Sequence, residues 1–354
     1  MTSVTKKAFL SLLSICLLSS MLSIGQKTYT QQTKTFKNPL LPSGPDPWVI
    51  QKDGYYYYCN STGRNITLRK TKNMADLANA PKNIVWTPPE TGMYSRELWA
   101  PELHFLNGKW YVYVAADDGK NDNHRMWVLE NPDADPLTNN WTVKGKIADP
   151  SDRWAIDMTV FEVNQQLYAL WSGWEGDVNV SQNIYIAKLK NPWTIEGVRT
   201  KISTPEMSWE KIGSGNTLPV VNEGPQFLRQ SADSKKIFVV YSASGCWTDN
   251  YALGLLEAEA NADLMNATSW KKTPQPIFVK NPEAKAFGPG HNSFFKSIDG
   301  KEDWIIYHAN PEANQDCRDN RSPRMQPFSW NKDGTPNLGK PIPLNEEINQ
   351  PSGQ

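Results

Sequence analysis

Apolar and polar residues alternate along this chain over short runs, and Gly, Pro, Asn and Asp bound the runs. A period of two, closed by turn-forming residues, predicts β-strands rather than helices. Only the stretch from Asn73 to Ala80 reads as one or two helical turns. The runs also recur in a fixed order. Five aromatic-rich strands follow turns: Gly54-Tyr55-Tyr56-Tyr57-Tyr58, Gly108-Lys109-Trp110-Tyr111-Val112-Tyr113, Gln166-Leu167-Tyr168-Ala169-Leu170-Trp171, Lys236-Ile237-Phe238-Val239-Val240-Tyr241 and Asp303-Trp304-Ile305-Ile306-Tyr307. Before each turn lies a strand that opens on a polar residue: Asp46-Pro47-Trp48-Val49, Glu102-Leu103-His104-Phe105, Asp157-Met158-Thr159-Val160, Glu223-Gly224-Pro225-Gln226-Phe227 and His291-Asn292-Ser293-Phe294-Phe295. The leading residues are 56, 55, 66 and 68 positions apart. Hairpins repeated at this interval predict an all-β, five-bladed β-propeller, with blades near 40–95, 96–150, 151–215, 216–280 and 281–345. Radial symmetry then gathers Asp46, Glu102, Asp157, Glu223 and His291 at one mouth of a central channel.

Composition refines this reading at a few points. A length of 354 residues ordinarily suggests two domains, but no low-complexity linker divides the chain, and one closed β architecture absorbs the length. Lys6 and Lys7 precede an apolar stretch from Ala8 to Ile24, with small residues at Ser23 and Gly25. That pattern predicts a signal peptide over 1–25, followed by a linker at 26–38 and the propeller at 39–354. An uncleaved anchor is the alternative, and the serines in the stretch weigh against it. The expected product is a secreted or periplasmic protein with no membrane span after cleavage, a monomer by default. Lys+Arg 37 balances Asp+Glu 37, so no whole-chain field favours nucleic acid. Trp 15, Tyr 13 and Phe 11 suit both cross-strand packing and flat sugar-binding faces. Beyond the leader the cysteines are Cys59, Cys246 and Cys317, without metal-ligand spacing. One disulfide fits an exported protein, and the pair stays open.

The acidic residues carry the chemistry. Several carboxylates around one cavity repel one another, so at least one holds its proton near neutrality. One protonated acid opposite one ionised base is the minimum machinery for cleaving a glycosidic bond. A lone acid at a strand start more often caps a turn or binds a structural cation. Acids at equivalent positions of three repeats, each in a tight apolar context, favour catalysis.

On these motifs the chain resembles glycoside hydrolase family 43, five-bladed propellers that act on arabinose- and xylose-containing plant polysaccharides. Gly44-Pro45-Asp46-Pro47-Trp48 is similar to the family's general-base motif, Ala155-Ile156-Asp157-Met158 to the aspartate that orients the acid, and Asn222-Glu223-Gly224-Pro225 to the general-acid motif. The resemblance implies inversion, with Asp46 activating water, Glu223 protonating the leaving oxygen, and Asp157 ionised and tuning Glu223. It implies that bond cleavage needs no cofactor, and that His291 faces a structural calcium or sodium ion in the central channel. Glu102 supports the same ion or lines the pocket. Trp99, Trp174 and Trp247 are candidates to stack on a sugar ring. Arg321 and Arg324 compete as the arginine that touches a sugar hydroxyl or the acid, with Arg324 preferred. Asp117, Asp118, His124 and Arg125 read as exposed turn or surface loop.

The strings Ser95-Arg96-Glu97-Leu98-Trp99-Ala100-Pro101-Glu102, Trp171-Ser172-Gly173-Trp174-Glu175-Gly176 and Tyr241-Ser242-Ala243-Ser244-Gly245-Cys246-Trp247 resemble the exo-acting α-L-arabinofuranosidase branch. The expected substrate is therefore a plant cell-wall polysaccharide or oligosaccharide of arabinan or arabinoxylan type, losing its terminal L-arabinofuranose. A β-xylosidase of the same family, a noncatalytic glycan-binding propeller and a retaining propeller glycosidase are the alternatives.

Overall fold

The first three blades open on hairpins of one kind. Lys52 pairs with Tyr55, Leu106 with Lys109 and Val163 with Gln166, so two residues form each turn. Asp53 and Gly54, Asn107 and Gly108, and Asn164 and Gln165 all have positive φ. Left-handed residues in sequence give a turn whose twist matches the strands it joins, and Asp, Asn and Gly tolerate that conformation. Local chemistry thus sets the register of each hairpin.

The computed structural model describes residues 1–2, 34–215 and 217–354. But for its first two residues, the leader expected over 1–25 lies outside them. Residues Lys34–Gln354 form one compact unit. Its inner strands are Trp48–Lys52, Arg96–Leu106, Ala155–Val163, Val220–Leu228 and Phe287–Lys296. Each begins a four-stranded antiparallel meander, and a short parallel pairing, Ser181 with Val220 and Gln182 with Val221, links the third sheet to the fourth. The inner strands touch in order from the first to the fifth, and the fifth touches the first. The ring is closed, as a five-bladed β-propeller requires.

Closure recruits both ends of the described unit. Thr35–Phe36 pairs with Ile348–Asn349, and Phe36 packs in the cluster that contains Trp304. Asn38 donates to the Met325 carbonyl and accepts from its N–H. The end of the expected linker, residues 34–38, is therefore part of the fold. The terminal residues complete the ring instead of trailing from it. The short helix appears as a 3-10 helix, Met74–Asn79, capped by the Asn73 side chain on Ala75 N–H.

Aromatic residues fill the seams between blades. Tyr111, Tyr113, Trp154, Trp171, Trp174 and Tyr185 share one cluster. Trp174 is only 2% exposed and stacks on Trp154 at 4.9 Å and 11°. It is a packing residue, and its expected place against sugar is corrected. Among the described residues no helix is long and apolar enough to cross a membrane.

Candidate active site

Four inner strands break register near their start, between Trp99 and Glu102, Ile156 and Thr159, Glu223 and Gln226, and Gly290 and Ser293. One left-handed residue occupies each break: Ala100, Asp157, Gly224 and His291, with φ of 44°, 59°, 54° and 46°. Asp46, φ 57°, stands at the same level of the first blade, two residues before pairing begins at Trp48. Left-handed backbone costs an L-residue about 1–2 kcal/mol. A bulge of this kind bends a strand and re-aims its side chain. The left-handed residue recurs at one level of all five blades and marks the site.

These bulges also correct the sequence alignment. The second-blade counterpart of Asp46 is Ala100, and Glu102 falls two residues further along. Its carboxylate is 4% exposed, lies 2.9 Å from His104 Nε2 and accepts from Gln226 Nε2. Glu102 therefore belongs to a polar layer beneath the pocket and does not line it. In the fourth blade Gly224 takes the bulge, which sets Glu223 one residue ahead. A Cβ on Gly224 would lie 3.3 Å from the His291 ring, so the residue there must be small.

Asp46, Asp157, Glu223, His291 and Arg321 line one cavity of about 460 Å³, with Trp99, Trp154 and Trp247 among its walls. Asp46 Oδ1 accepts from Arg321 Nη1 at 3.0 Å, and Oδ2 accepts from Ser61 Oγ at 2.5 Å. Ser61 Oγ in turn accepts from Ala100 N–H. The second blade thus serves Asp46 through its backbone. Burial favours the neutral acid, but Arg321, His291 and the Ser61 hydroxyl prevail and hold Asp46 well below the usual carboxylate range. Although His308 Nδ1 lies 3.4 Å from Asp46 Oδ1, no ion pair forms there. Burial and Arg321 keep His308 neutral, and its Nδ1 accepts the Asp46 N–H at 3.0 Å.

The other two carboxyls have the opposite character. Burial raises Glu223, against a cationic His291 and a Tyr251 hydroxyl that donates to Oε1 at 2.7 Å. Burial and the neighbouring Glu223 and Asp46 push Asp157 up to about 7, although His291 and the Gly224 N–H, 3.0 Å from Oδ2, pull it down. Asp157 and Glu223 titrate as a pair that keeps a proton near neutrality. Burial would lower His291, but Asp46, Asp157 and Glu223 together raise it.

His291 Nδ1 lies 3.4 Å from Asp46 Oδ1. Among the described residues no group of three or more His, Cys, Asp or Glu side chains could hold a metal. An ion beside His291 would have one imidazole and water as its ligands, a weakly holding set for a hard cation.

Arg324 is corrected. It is 0% exposed, packs beside Tyr307 and gives Nη1 to the Ala284 carbonyl, while Arg321 is the pocket arginine. Trp99 and Trp247 do line the cavity. His124 and Asp117 are buried, not surface residues; His124 Nδ1 lies 3.0 Å from Asp117 Oδ2, and its ring stacks under Trp99 at 4.0 Å. The disulfide left open in the sequence joins Cys246 to Cys317, and Cys59 is a buried thiol. Both bridged residues line the cavity, so the bond ties the loop of Trp247 to the loop that leads to Arg321.

Sequence reasoning missed Ser61, Tyr251 and Trp154. Tyr251 reaches Glu223 across Gly290, where a Cβ would lie 2.3 Å from its ring. The glycines around His291 were the available signal.

The family model for Glycosyl hydrolases family 43 matches residues 36–336. The chain is 42% identical over 317 residues to an extracellular exo-alpha-(1->5)-L-arabinofuranosidase of Streptomyces avermitilis, covering 87% of this chain and 64% of that protein. It therefore spans less than two thirds of that relative's length. A protein of the same name from Streptomyces chartreusis is 36% identical over 279 residues, covering 77% of this chain and 82% of that protein. The crystal structure of alpha-L-arabinofuranosidase from Lactobacillus brevis superposes with a TM-score of 0.82 at 38% identity, over 88% of this chain and 98% of that one.

Proposed function

The chain belongs to family 43 of the glycosyl hydrolases, and on that premise we propose that it is an inverting, exo-acting glycosidase releasing terminal α-L-arabinofuranosyl residues from arabinan- or arabinoxylan-type polysaccharides and oligosaccharides. One observation carries the reading: carboxyls from three blades share one cavity with opposed electrostatics, Asp46 held ionised and the Asp157–Glu223 pair holding a proton. The printed names of the relatives support arabinofuranose as the sugar released and the outside of the cell as the place of action. With the leader-like N-terminus they favour an exported protein, and a monomer is the default we adopt.

Glu223 gives its proton to the glycosidic oxygen as the bond from that oxygen to the anomeric carbon breaks. A water on the opposite face of the ring attacks the same carbon and passes its proton to Asp46. Inversion needs roughly 6.5–9.5 Å between the two carboxyls, room for that water. Arg321 and Ser61 orient Asp46, and Tyr251 holds one oxygen of Glu223. Asp157 anchors the acid's backbone through the Gly224 N–H and acts as a positioning residue. Trp99, Trp154 and Trp247 offer apolar walls to the sugar. These steps use no cofactor, and none passes through an ion beside His291.

Turnover of 4-nitrophenyl α-L-arabinofuranoside and 4-nitrophenyl β-D-xylopyranoside tests the substrate. The arabinofuranoside should lead in kcat/KM by about tenfold or more, the range one pocket supplies by contacts alone. A lead for the xyloside would make the protein a xylosidase, and glycan binding with no hydrolysis would make it a noncatalytic propeller.

The shared proton predicts a pH profile. A raised acid keeps its proton below its pKa, so kcat/KM should fall as pH rises through a limb displaced upward from the ordinary carboxylate range. Asp157→Asn keeps an acceptor for the Gly224 N–H but removes the negative charge. Glu223 then releases its proton more readily, and the alkaline limb should move down by about one pH unit. A limb that stays in place would leave Asp157 a structural role only.

A further inference from the structure

Ser61 stands in a wall between two cavities. On one side it donates to Asp46. On the other lies a mostly polar cavity of about 440 Å³, lined by Arg64, Arg69, Lys82 and a single acid, Asp319, with Tyr58 among the lining residues. The chain as a whole carries no net charge, so this excess of cations is local. Among the described residues no salt bridge uses any of the three cations. Arg69 gives one Nη to the Ala80 carbonyl and keeps its remaining donors. Tyr58 is 1% exposed, and its hydroxyl has no hydrogen-bond partner in the protein. Buried hydroxyls are nearly always satisfied, and that of Tyr58 is an exception beside this cavity.

Ligand pockets span about 300–1,000 Å³, and this cavity falls within that range. Arginine and lysine donors with hydroxyls and amides around them suit a carboxylate carried on a polyhydroxylated ring. Because the two cavities share the Ser61 wall, a sugar in the second would be a near neighbour, on the same polymer, of the sugar held over Asp46 and Glu223. We propose that the second cavity binds the carboxylate of a uronic acid unit in the polysaccharide that carries the arabinose. The enzyme then selects acidic arabinose-bearing polymers over neutral ones. This rests on the glycosidase reading above and adds a substrate class to it.

The test compares KM on arabino-oligosaccharides with and without a uronate, for the full chain and for the Arg64→Ala/Lys82→Ala double variant. The exposed positions of Arg64 and Lys82 make that variant safe for the fold. The wild type should show a KM roughly tenfold lower for the acidic substrate, the scale of one charge-assisted hydrogen bond. The advantage should shrink in 0.5 M salt and vanish in the double variant, with turnover of the neutral aryl arabinofuranoside unchanged in both. Equal KM for acidic and neutral substrates in the wild type overturns the proposal. So does inorganic phosphate that removes the acidic preference as effectively as free galacturonate or glucuronate, because the cavity would then hold any anion. Absent turnover of the aryl arabinofuranoside by the wild type would strike the glycosidase reading instead.

Discussion

Glu223→Gln should lower kcat on an arabino-oligosaccharide by about 10²–10⁴-fold, the usual share of a general acid. The loss should depend on the leaving group. A sugar alkoxide needs the proton of Glu223 as the bond breaks, whereas 2,4-dinitrophenolate leaves without one. The aryl substrate should therefore retain most of its turnover in the variant. Gln keeps an acceptor for the Tyr251 hydroxyl, so the change removes the proton and spares the packing. It should also flatten the alkaline limb of the pH profile on the activated substrate. Equal losses on both substrates, measured by initial rates, would assign Glu223 to binding rather than to proton transfer.

Asp46→Ala should cost about as much, with the opposite leaving-group pattern. Water must be activated whatever group departs, so the loss should be similar on the aryl glycoside and the oligosaccharide. The variant leaves the Arg321 guanidinium, with His291 beside it, facing the space the carboxylate held. That space should accept a small anion. Added azide should restore turnover of the dinitrophenyl arabinofuranoside, the azide nitrogen forming a bond to the anomeric carbon as phenolate leaves. The product should be the β-azide, attacked on the face that Asp46 serves. Activity within a few-fold of wild type in the absence of azide would remove Asp46 from the reaction.

The fold was legible because its signals are local and repeated. Turn pairs such as Asp53-Gly54 and Asn107-Gly108, each followed by an aromatic strand, set hairpins at a steady interval. The chemistry was legible only in part, because the site lies on bulges. A bulge inserts a residue into the strand, and a text alignment by leading polar residue cannot see it. Glu102 was therefore aligned with Asp46, although Ala100 occupies the bulge.

Arg324 was preferred to Arg321 for a related reason. The strand begins at Ser322, so Arg324 is fixed between blades opposite Tyr307, while Arg321, just before the strand, is free to reach Asp46. Trp174 and Trp154 are partners in one stack, and sequence does not reveal which of the two meets the pocket. Tyr251 and Ser61 lie in loops whose composition is ordinary. Their roles follow from closure of the ring, which no single blade encodes.

The stereochemistry of the first product tests the centre of this account most directly. Proton NMR of a freshly started reaction on an aryl α-L-arabinofuranoside should show the β anomer of free arabinofuranose first, with the α anomer growing in later by mutarotation. An α anomer that forms first would mean attack from the face of the departing group. It would contradict the assignment of Asp46 and Glu223 as a base and an acid acting on opposite faces of one sugar.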